Sequence, residues 1–150
     1  MARCLTLCIS LIFLSVALPA PAEQVETFGA YTVHYNAFTT NSLTPEIAKL
    51  YNIRRSNNRA LLNVSILKQV MGTSTKPVKA IVKATATNLN SQLSQLTVRE
   101  LIEAGEPGAI YYLAETSVNN GEMLTYNVSF NPDGEAETYT FTFQQQFITE

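Results

Sequence analysis

The chain has 150 residues, with ten Lys and Arg, twelve Asp and Glu and a single histidine, which gives a formal net charge of −2. This slightly acidic balance, without basic residues interleaved with aromatic ones, argues against a nucleic-acid-binding protein. Both cysteines, Cys4 and Cys8, lie in an N-terminal apolar run, so the rest of the chain lacks the Cys and His ligands that a zinc site needs. We therefore expect no cofactor.

The N-terminus, MARCLTLCISLIFLSVALPAPAEQ, has the pattern of a secretory signal peptide. Arg3 gives a positive start, an apolar run follows over residues 4–18, and Ala20 and Ala22 are the small residues that a signal peptidase reads. The run of 15 residues is shorter than the roughly 20 that cross a bilayer. We expect a signal peptide over residues 1–22, cleaved after Ala22, and one soluble domain over residues 23–150 without a membrane span.

Apolar and polar residues alternate along most of the remaining chain, and a period of two predicts half-buried strands. In AYTVHYNAF, for example, Tyr31, Val33 and Tyr35 fall on one face, and His34 and Asn36 fall on the other. The pattern recurs in RALLNVSILK, PVKAIVKATAT, AIYYLAETSV, MLTYNVSF and TYTFTFQQQF, and more weakly in QLTVRELIE. The aromatic residues expected at the centre of the core are Tyr126, Phe130, Phe141 and Phe143.

One short helix is predicted between the first two strands, in LTPEIAKLYN. Thr44 is a suitable N-cap, and Pro45 is a suitable first helical residue. Asn52 can end the helix, because asparagine tolerates a left-handed backbone. The apolar residues that would share its buried face are Ile47, Leu50 and Tyr51.

Three turn signals follow in the C-terminal third. Pro107 and Gly108 suit a type II turn, Asn120 and Gly121 form a strong hairpin signal, and NPDGE suits a type I turn closed by Gly134 in a left-handed conformation. These turns predict a three-stranded antiparallel meander. About seven strands and one helix favour an all-β fold, an immunoglobulin-like antiparallel β-sandwich, with a small antiparallel β-barrel as the alternative.

The run YTVHYNAFTTNSLTPEIAKLYNIRRSNNRALLNVSILK resembles the exported bacterial family of domains of unknown function numbered 4426. The resemblance extends from about Phe28 to Phe147, and VHYNAF and NRALLNVS are its most specific segments. It implies a single periplasmic domain of a Gram-negative bacterium. It brings no activity with it.

The charges are segregated along the chain. Residues 47–99 contain nine basic residues and no acid, whereas residues 100–150 contain nine acids and no Lys or Arg. Basic middle strands could pair with acidic late strands, which would contribute about 0.2–1 kcal/mol for each cross-strand pair. Alternatively, the segregation could create a basic face for an anionic partner.

Arg54, Arg55 and Arg59 flank a short polar loop between the predicted helix and the next strand. Arginine presents a planar fork that suits a carboxylate or a phosphate, and loops often carry binding residues. These arginines are therefore candidate partner-binding residues. The alternative is a structural tie, with Arg59 buried against a carboxylate of the acidic half. His34, on the polar face of its strand, is a weaker candidate.

The sequence thus predicts a non-enzymatic periplasmic domain that binds a partner protein or an anionic envelope component. One alternative is a structural subunit that joins an oligomer by strand addition, with TYTFTFQQQF as the pairing edge. Another is an enzyme of unrecognised type, for which Glu100, Glu103 and Glu106 could supply a pair of carboxylates.

Overall fold

The computed structural model describes residues 23–105 and 108–149, which contain ten strands, a 3-10 turn over Thr40–Ser42 and one α-helix, α1, Pro45–Leu50. The predicted signal peptide, its cleavage after Ala22 and the turn residue Pro107 lie outside the described residues. Within the described residues, no helix is long and apolar enough to cross a bilayer.

The strands are β1 Gln24–Phe28, β2 Tyr31–Thr39, β3 Arg59–Gln69, β4 Thr75–Pro77, β5 Ala80–Asn88, β6 Leu93–Leu96, β7 Arg99–Glu103, β8 Ala109–Ser117, β9 Glu122–Pro132 and β10 Tyr139–Phe147.

The strands form two antiparallel sheets. The six-stranded sheet has the order β1-β2-β3-β8-β7, with β4 pairing to the end of β3, and the four-stranded sheet has the order β10-β9-β5-β6. Both described sheets have open edges, which confirms a β-sandwich and not a closed barrel; the narrower immunoglobulin-like assignment stays a prediction. The number of strands exceeds seven because β1 and β4 give weak signals and because QLTVRELIE is divided between the two sheets as β6 and β7.

The predicted three-stranded meander is wrong, although its last hairpin, β9–β10, is present. Strand β8 pairs with β3 and β7, so the Asn120–Gly121 turn carries the chain from one sheet to the other. Strand β8 has apolar residues on both faces, so both faces must be buried. The six-stranded sheet provides this, because one of its faces packs on the main core and the other on the cluster beneath α1. The NPDGE turn forms as predicted, since Gly134 has a φ of 81° and the Glu135 N–H donates to the Pro132 carbonyl at 3.1 Å.

The main core lies between the two sheets and is rich in aromatic rings. Tyr126 and Phe130 are fully buried, and Phe141 and Phe143 are 4% and 6% exposed, as predicted. The ring of Tyr35, from the opposite sheet, lies 4.5 Å from that of Phe141 and 4.7 Å from that of Phe143, measured between centroids. Rings at these distances add about 0.5–1.5 kcal/mol per pair beyond their buried area.

A smaller apolar cluster covers the outer face of the six-stranded sheet, beneath α1 and the residues that follow it. The predicted N-cap is confirmed, because the Thr44 hydroxyl accepts from the Ile47 N–H at 3.3 Å, and Asn52 ends the helix with a φ of 52°. The predicted buried face is wrong for Leu50 and Ile47, which are 70% and 37% exposed, whereas Ala48 is buried. A helix of six residues is too short for its own periodicity to set its orientation. The buried Ile53, just after the helix, fixes that orientation.

Candidate functional site

The arginine loop, residues 53–58, is held in place by Thr40, which is fully buried at the end of β2. The Thr40 hydroxyl donates to the Arg54 carbonyl at 2.9 Å and accepts from the Ser56 N–H at 2.9 Å. At the far end of the loop, the Val118 N–H donates to the Asn58 carbonyl at 3.1 Å. The backbone that carries the arginines is therefore fixed by the body of the domain.

The three arginines have different surroundings. Arg59 Nη1 lies 3.5 Å from Glu115 Oε2, in a pair whose side chains are 39% and 26% exposed. Arg55 Nη2 donates to the Asn41 carbonyl at 3.1 Å, and both Arg54 and Arg55 are exposed. Neither has a carboxylate within 4 Å among the described residues. The structure thus ties Arg59 to the acidic half of the chain, although the pair is half-exposed and not buried.

Ion pairs join the basic middle segment to the acidic C-terminal segment at three places in the described chain. They are Arg59–Glu115 at 3.5 Å, Lys68–Glu135 at 3.1 Å and Lys79–Glu100 at 3.8 Å. Internal pairing therefore accounts for part of the charge segregation. Arg54 and Arg55 are left outside it.

The structure places His34 apart from the arginine loop. It lies on the outer face of β2, opposite Ser65 of β3, with its Nδ1 at 3.4 Å from Glu23 Oε1. Arg59 is six positions from Ser65 along β3, which corresponds to about 20 Å of extended strand. The four candidate residues therefore do not form one cluster.

A cleft of about 210 Å³ lies between α1 and the outer face of the six-stranded sheet. Its walls are mostly apolar, and they include the ring of Phe38 and the side chains of Leu101 and Leu113. The Tyr51 hydroxyl donates to Glu103 Oε1 at one side of the cleft. Arg99 Nη2 donates to the Tyr51 carbonyl at 2.8 Å and so ties the end of α1 to β7. Strand β7 and the helix end thus share one border of the cleft.

The polar side chains of the cleft are the Asn63 amide, the Glu103 carboxylate and the hydroxyls of Tyr51 and Tyr111. Asn63 lies opposite Asn36 in the β2–β3 register, and the amide oxygens of both are buried without a hydrogen-bond donor among the described residues. Asn63 also lines the cleft. The pKa of Tyr111 is raised, first by burial and then by the negative charges of Glu103 and Glu23. The cleft therefore combines apolar walls with one carboxylate, that of Glu103.

Glu100 and Glu103, two of the three glutamates considered above, point to opposite faces of β7, and the third, Glu106, lies outside the described residues. Glu100 Oε2 accepts from the core Tyr112 hydroxyl at 3.2 Å, whereas Glu103 contacts Tyr51 on the outer face. The two carboxylates cannot flank one scissile bond, which the glycosidase mechanism requires. Among the described residues, no group of three His, Asp or Glu side chains is placed to hold a metal ion.

Sequence reasoning missed the cleft, because the alternation in β3 places Asn63 on the face opposite Leu62 and Val64 and does not indicate what covers it. A signal was available, since Leu61 and Leu62 are consecutive, and so are Tyr112 and Leu113. Adjacent apolar residues in a strand lie on opposite faces, which indicates that both faces are covered. The pattern does not show that α1 provides the cover.

Comparisons with known proteins agree with the fold. A DUF4426 family protein from Pseudomonas aeruginosa PAO1 has 31% sequence identity and a TM-score of 0.72, over 85% of this chain and 96% of that chain. FetP of uropathogenic E. coli strain F11, which was expressed in the periplasm, has a TM-score of 0.57 over 86% of this chain and 95% of its own. At 12% identity, FetP is similar in fold alone. None of the curated proteins matches.

The family model for DUF4426, a domain of unknown function, matches residues 25–150, which include every strand from β2 to β10 and the loops that carry the candidate residues. This match extends the resemblance noted from VHYNAF and NRALLNVS over nearly the whole described chain. The protein therefore belongs to the DUF4426 family.

Proposed function

We propose that this protein is a non-enzymatic periplasmic binding domain that recognises an anionic group of a partner protein or envelope component through Arg54 and Arg55. The observation that carries the proposal is the anchoring of an exposed arginine loop by the buried Thr40. A loop held in one conformation loses little entropy when it binds. Two exposed guanidinium groups on such a loop form a preorganised site for phosphate or carboxylate.

Arg59 and His34 have other roles in this proposal. Arg59, in contact with Glu115, orients the end of the loop and adds positive potential, and it does not contact the partner directly. His34 lies outside the contact surface. The non-enzymatic assignment is supported by the placement of Glu100 and Glu103 on opposite faces of β7.

The test is binding of the tagged protein, from which residues 1–22 are removed, to envelope extracts and to vesicles that contain phosphatidylglycerol. Replacing Arg54 and Arg55 together by Gln should abolish binding, and binding of the parent should weaken as salt increases. Retention on the vesicles indicates a lipid surface, whereas retention only on extract protein indicates a protein partner. Unfolding free energies should change by less than about 1 kcal/mol, because both side chains are exposed.

A matched control removes the same charge elsewhere. Lys76 and Lys83 are also exposed, so the double replacement by Gln reduces net positive charge equally. Binding should persist in this control. Equal losses in the two double variants would contradict a specific site at the arginine loop.

The exported location has its own test, because the sequence predicts cleavage after Ala22. The protein recovered from the periplasm of a Gram-negative host should begin at Glu23. A chain that retains Met1 and sediments with membranes would contradict the predicted location.

A second candidate function, strand addition, is favoured by the position of β10. This strand lies at the edge of the four-stranded sheet, pairs with β9 alone among the described strands, and contains no charge or proline over nine residues. Proteins usually protect such an edge with charges, proline or a bulge. Replacing Thr140 and Thr142 by Lys should block pairing there, and the partner captured by the parent would be lost in this variant and not in the arginine variant.

A further inference from the structure

We propose that the cleft beneath α1 binds a small organic cation, an ammonium group attached to an apolar body. This site meets the arginine loop at Ile53, and it would take a ligand of opposite charge. The cleft, of about 210 Å³, is smaller than the roughly 300–1,000 Å³ that drug-sized ligands occupy, so a fragment-sized molecule fits.

The apolar walls would bind the body of this ligand. Phe38 and Leu61 come from the outer face of β2 and β3, Leu101 and Leu113 from β7 and β8, and Ile53 from the segment after α1. Each wall is therefore fixed by a strand or by the buried end of the helix segment. Burying the apolar part of a ligand here is favourable by about 25 cal/mol for each Å² removed from water.

One polar group of the cleft can accept from a hydrogen-bond donor of the ligand. The Asn63 amide oxygen also lacks a donor among the described residues, but it has almost no accessible surface and lies two strands and four positions from Glu103 in the β3–β8–β7 register, roughly 16 Å, so it is not a contact of the ammonium group. Glu103 offers a carboxylate, of which Oε1 already accepts from Tyr51. Its second oxygen can accept from a ligand. An ammonium group supplies several donors at once.

The carboxylate of Glu103 favours a cation over a neutral donor at its end of the cleft, while the Arg99 guanidinium at the same border is directed to the Tyr51 carbonyl. The lining includes the carboxylate of Glu103 and contains no Lys, Arg or His among the described residues. The rings of Tyr51 and Tyr111 also line it, and aromatic faces attract ammonium groups within about 6 Å. A carboxylate beside aromatic rings is a chemically suitable environment for an alkylammonium ion.

A second depression, of about 460 Å³, shares Tyr51, Leu101 and Glu103 with the cleft. Its rim includes the exposed side chains of Leu50 and Ile102, which are 70% and 56% exposed. The bound ammonium can therefore carry an apolar body that continues past Glu103 over this rim. This continuity gives the ligand a route into the cleft from solvent.

The test uses three matched probes, phenethylammonium, phenethyl alcohol and 3-phenylpropionate, titrated into the uniformly ¹⁵N-labelled protein. We expect saturable amide shifts in α1, β3 and β7 with phenethylammonium, weaker shifts with the alcohol and none with the carboxylate. Equal binding of the anionic probe, or shifts confined to other elements, would overturn the proposal. So would the absence of saturable shifts with phenethylammonium at millimolar concentration.

Two variants assign the ligand contacts. Glu103→Gln keeps the shape of the side chain and removes its charge, so it should weaken phenethylammonium binding about tenfold or more. Asn63→Leu leaves Glu103 and the Tyr51 and Tyr111 rings in place, so it should bind phenethylammonium as the parent does. Glu100→Gln, on the opposite face of the same strand, is the matched control and should bind as the parent does. If Glu103→Gln and Glu100→Gln bind the probe equally well, the proposed site is wrong.

Discussion

The inner face of the six-stranded sheet packs against a second sheet, whereas its outer face is covered by the six-residue α1 and the segment that follows it. The inner side has a continuous aromatic core. The outer side has a small cluster around Ile53, Leu61 and Leu113, with a cleft beside it. One sheet thus supports stability on one face and leaves space for a ligand on the other.

The two faces of the six-stranded sheet also differ in how completely their buried polar groups are hydrogen-bonded. On the inner side, the Tyr112 hydroxyl accepts from the Ala80 N–H at 2.7 Å and donates to Glu100, and burial raises the pKa of Tyr112 to about 12. Tyr126 is an exception there, because its buried hydroxyl has no partner among the described residues. On the outer side, both Asn36 and Asn63 have buried amide oxygens without donors. Buried acceptors without a donor are uncommon in folded proteins, so the outer face is less completely satisfied than most of the core.

The largest expected effect belongs to the inner core. Phe141→Ala should lower the unfolding free energy by about 3–5 kcal/mol, because the ring is buried against Tyr35 and Phe143 and its removal leaves a cavity. Phe38→Ala, in the thinner outer cluster, should cost less. Urea unfolding measures both, and equal losses would remove the energetic distinction between the two faces.

The next effect concerns the border between β2 and the arginine loop. Thr40→Val keeps the shape of the side chain but leaves the Ser56 N–H and the Arg54 carbonyl without their buried partner. Stability should fall by about 1–3 kcal/mol, and binding to the anionic partner should weaken with it. Thr140→Val, at an exposed position of β10, is the control and should change stability by about 0.5 kcal/mol or less. Matching results for the two valine variants would mean that Thr40 does not anchor the loop.

A gain in stability is expected on the outer face. Asn63→Leu replaces a half-buried side chain, whose amide oxygen is buried without a donor among the described residues, by an apolar side chain of similar size, so the unfolding free energy should rise by about 1 kcal/mol. Asn127→Leu, in an exposed position of β9, should give no such gain. Loss of stability in Asn63→Leu would show that the amide contributes to folding, and the contrast between the faces would then be weaker.

The smallest effect lies at the edge where the two sheets meet. The Tyr31 hydroxyl donates to Glu135 at 2.8 Å and Lys68 lies at 3.1 Å, and both lower the pKa of Glu135. Because the unfolded chain then binds the proton more readily, this tie should stabilise the fold at neutral pH and be lost as pH falls below about 4. The difference in unfolding free energy between the parent and Glu135→Gln should therefore shrink in acid. If the difference in unfolding free energy stays constant with pH, the negative charge of Glu135 makes no contribution to stability.

Much of the fold follows from local sequence. Alternation in β2, β3, β5, β9 and β10 predicts which side chains face the core, since successive residues of a strand point to opposite faces. The N-cap at Thr44 and the left-handed Gly134 are also local, because each depends on the backbone of a few neighbouring residues. The arginine loop was identified in the same way. Its anchor, Thr40, was not, because the hydrogen bonds that hold it join residues 14 and 16 positions apart.

Tertiary structure alone decided what covers each face. The turn at Asn120–Gly121 reverses the chain, but the apolar residues on both faces of β8 place that strand in the six-stranded sheet and not beside β9. Likewise, the alternating pattern marks Asn63 as an outward residue, and only the tertiary structure shows that its amide oxygen is buried beside a cleft that Ile47 of α1 also lines. Periodicity depends on neighbouring residues and determines the direction of a side chain, whereas its environment depends on contacts between segments that are distant in sequence.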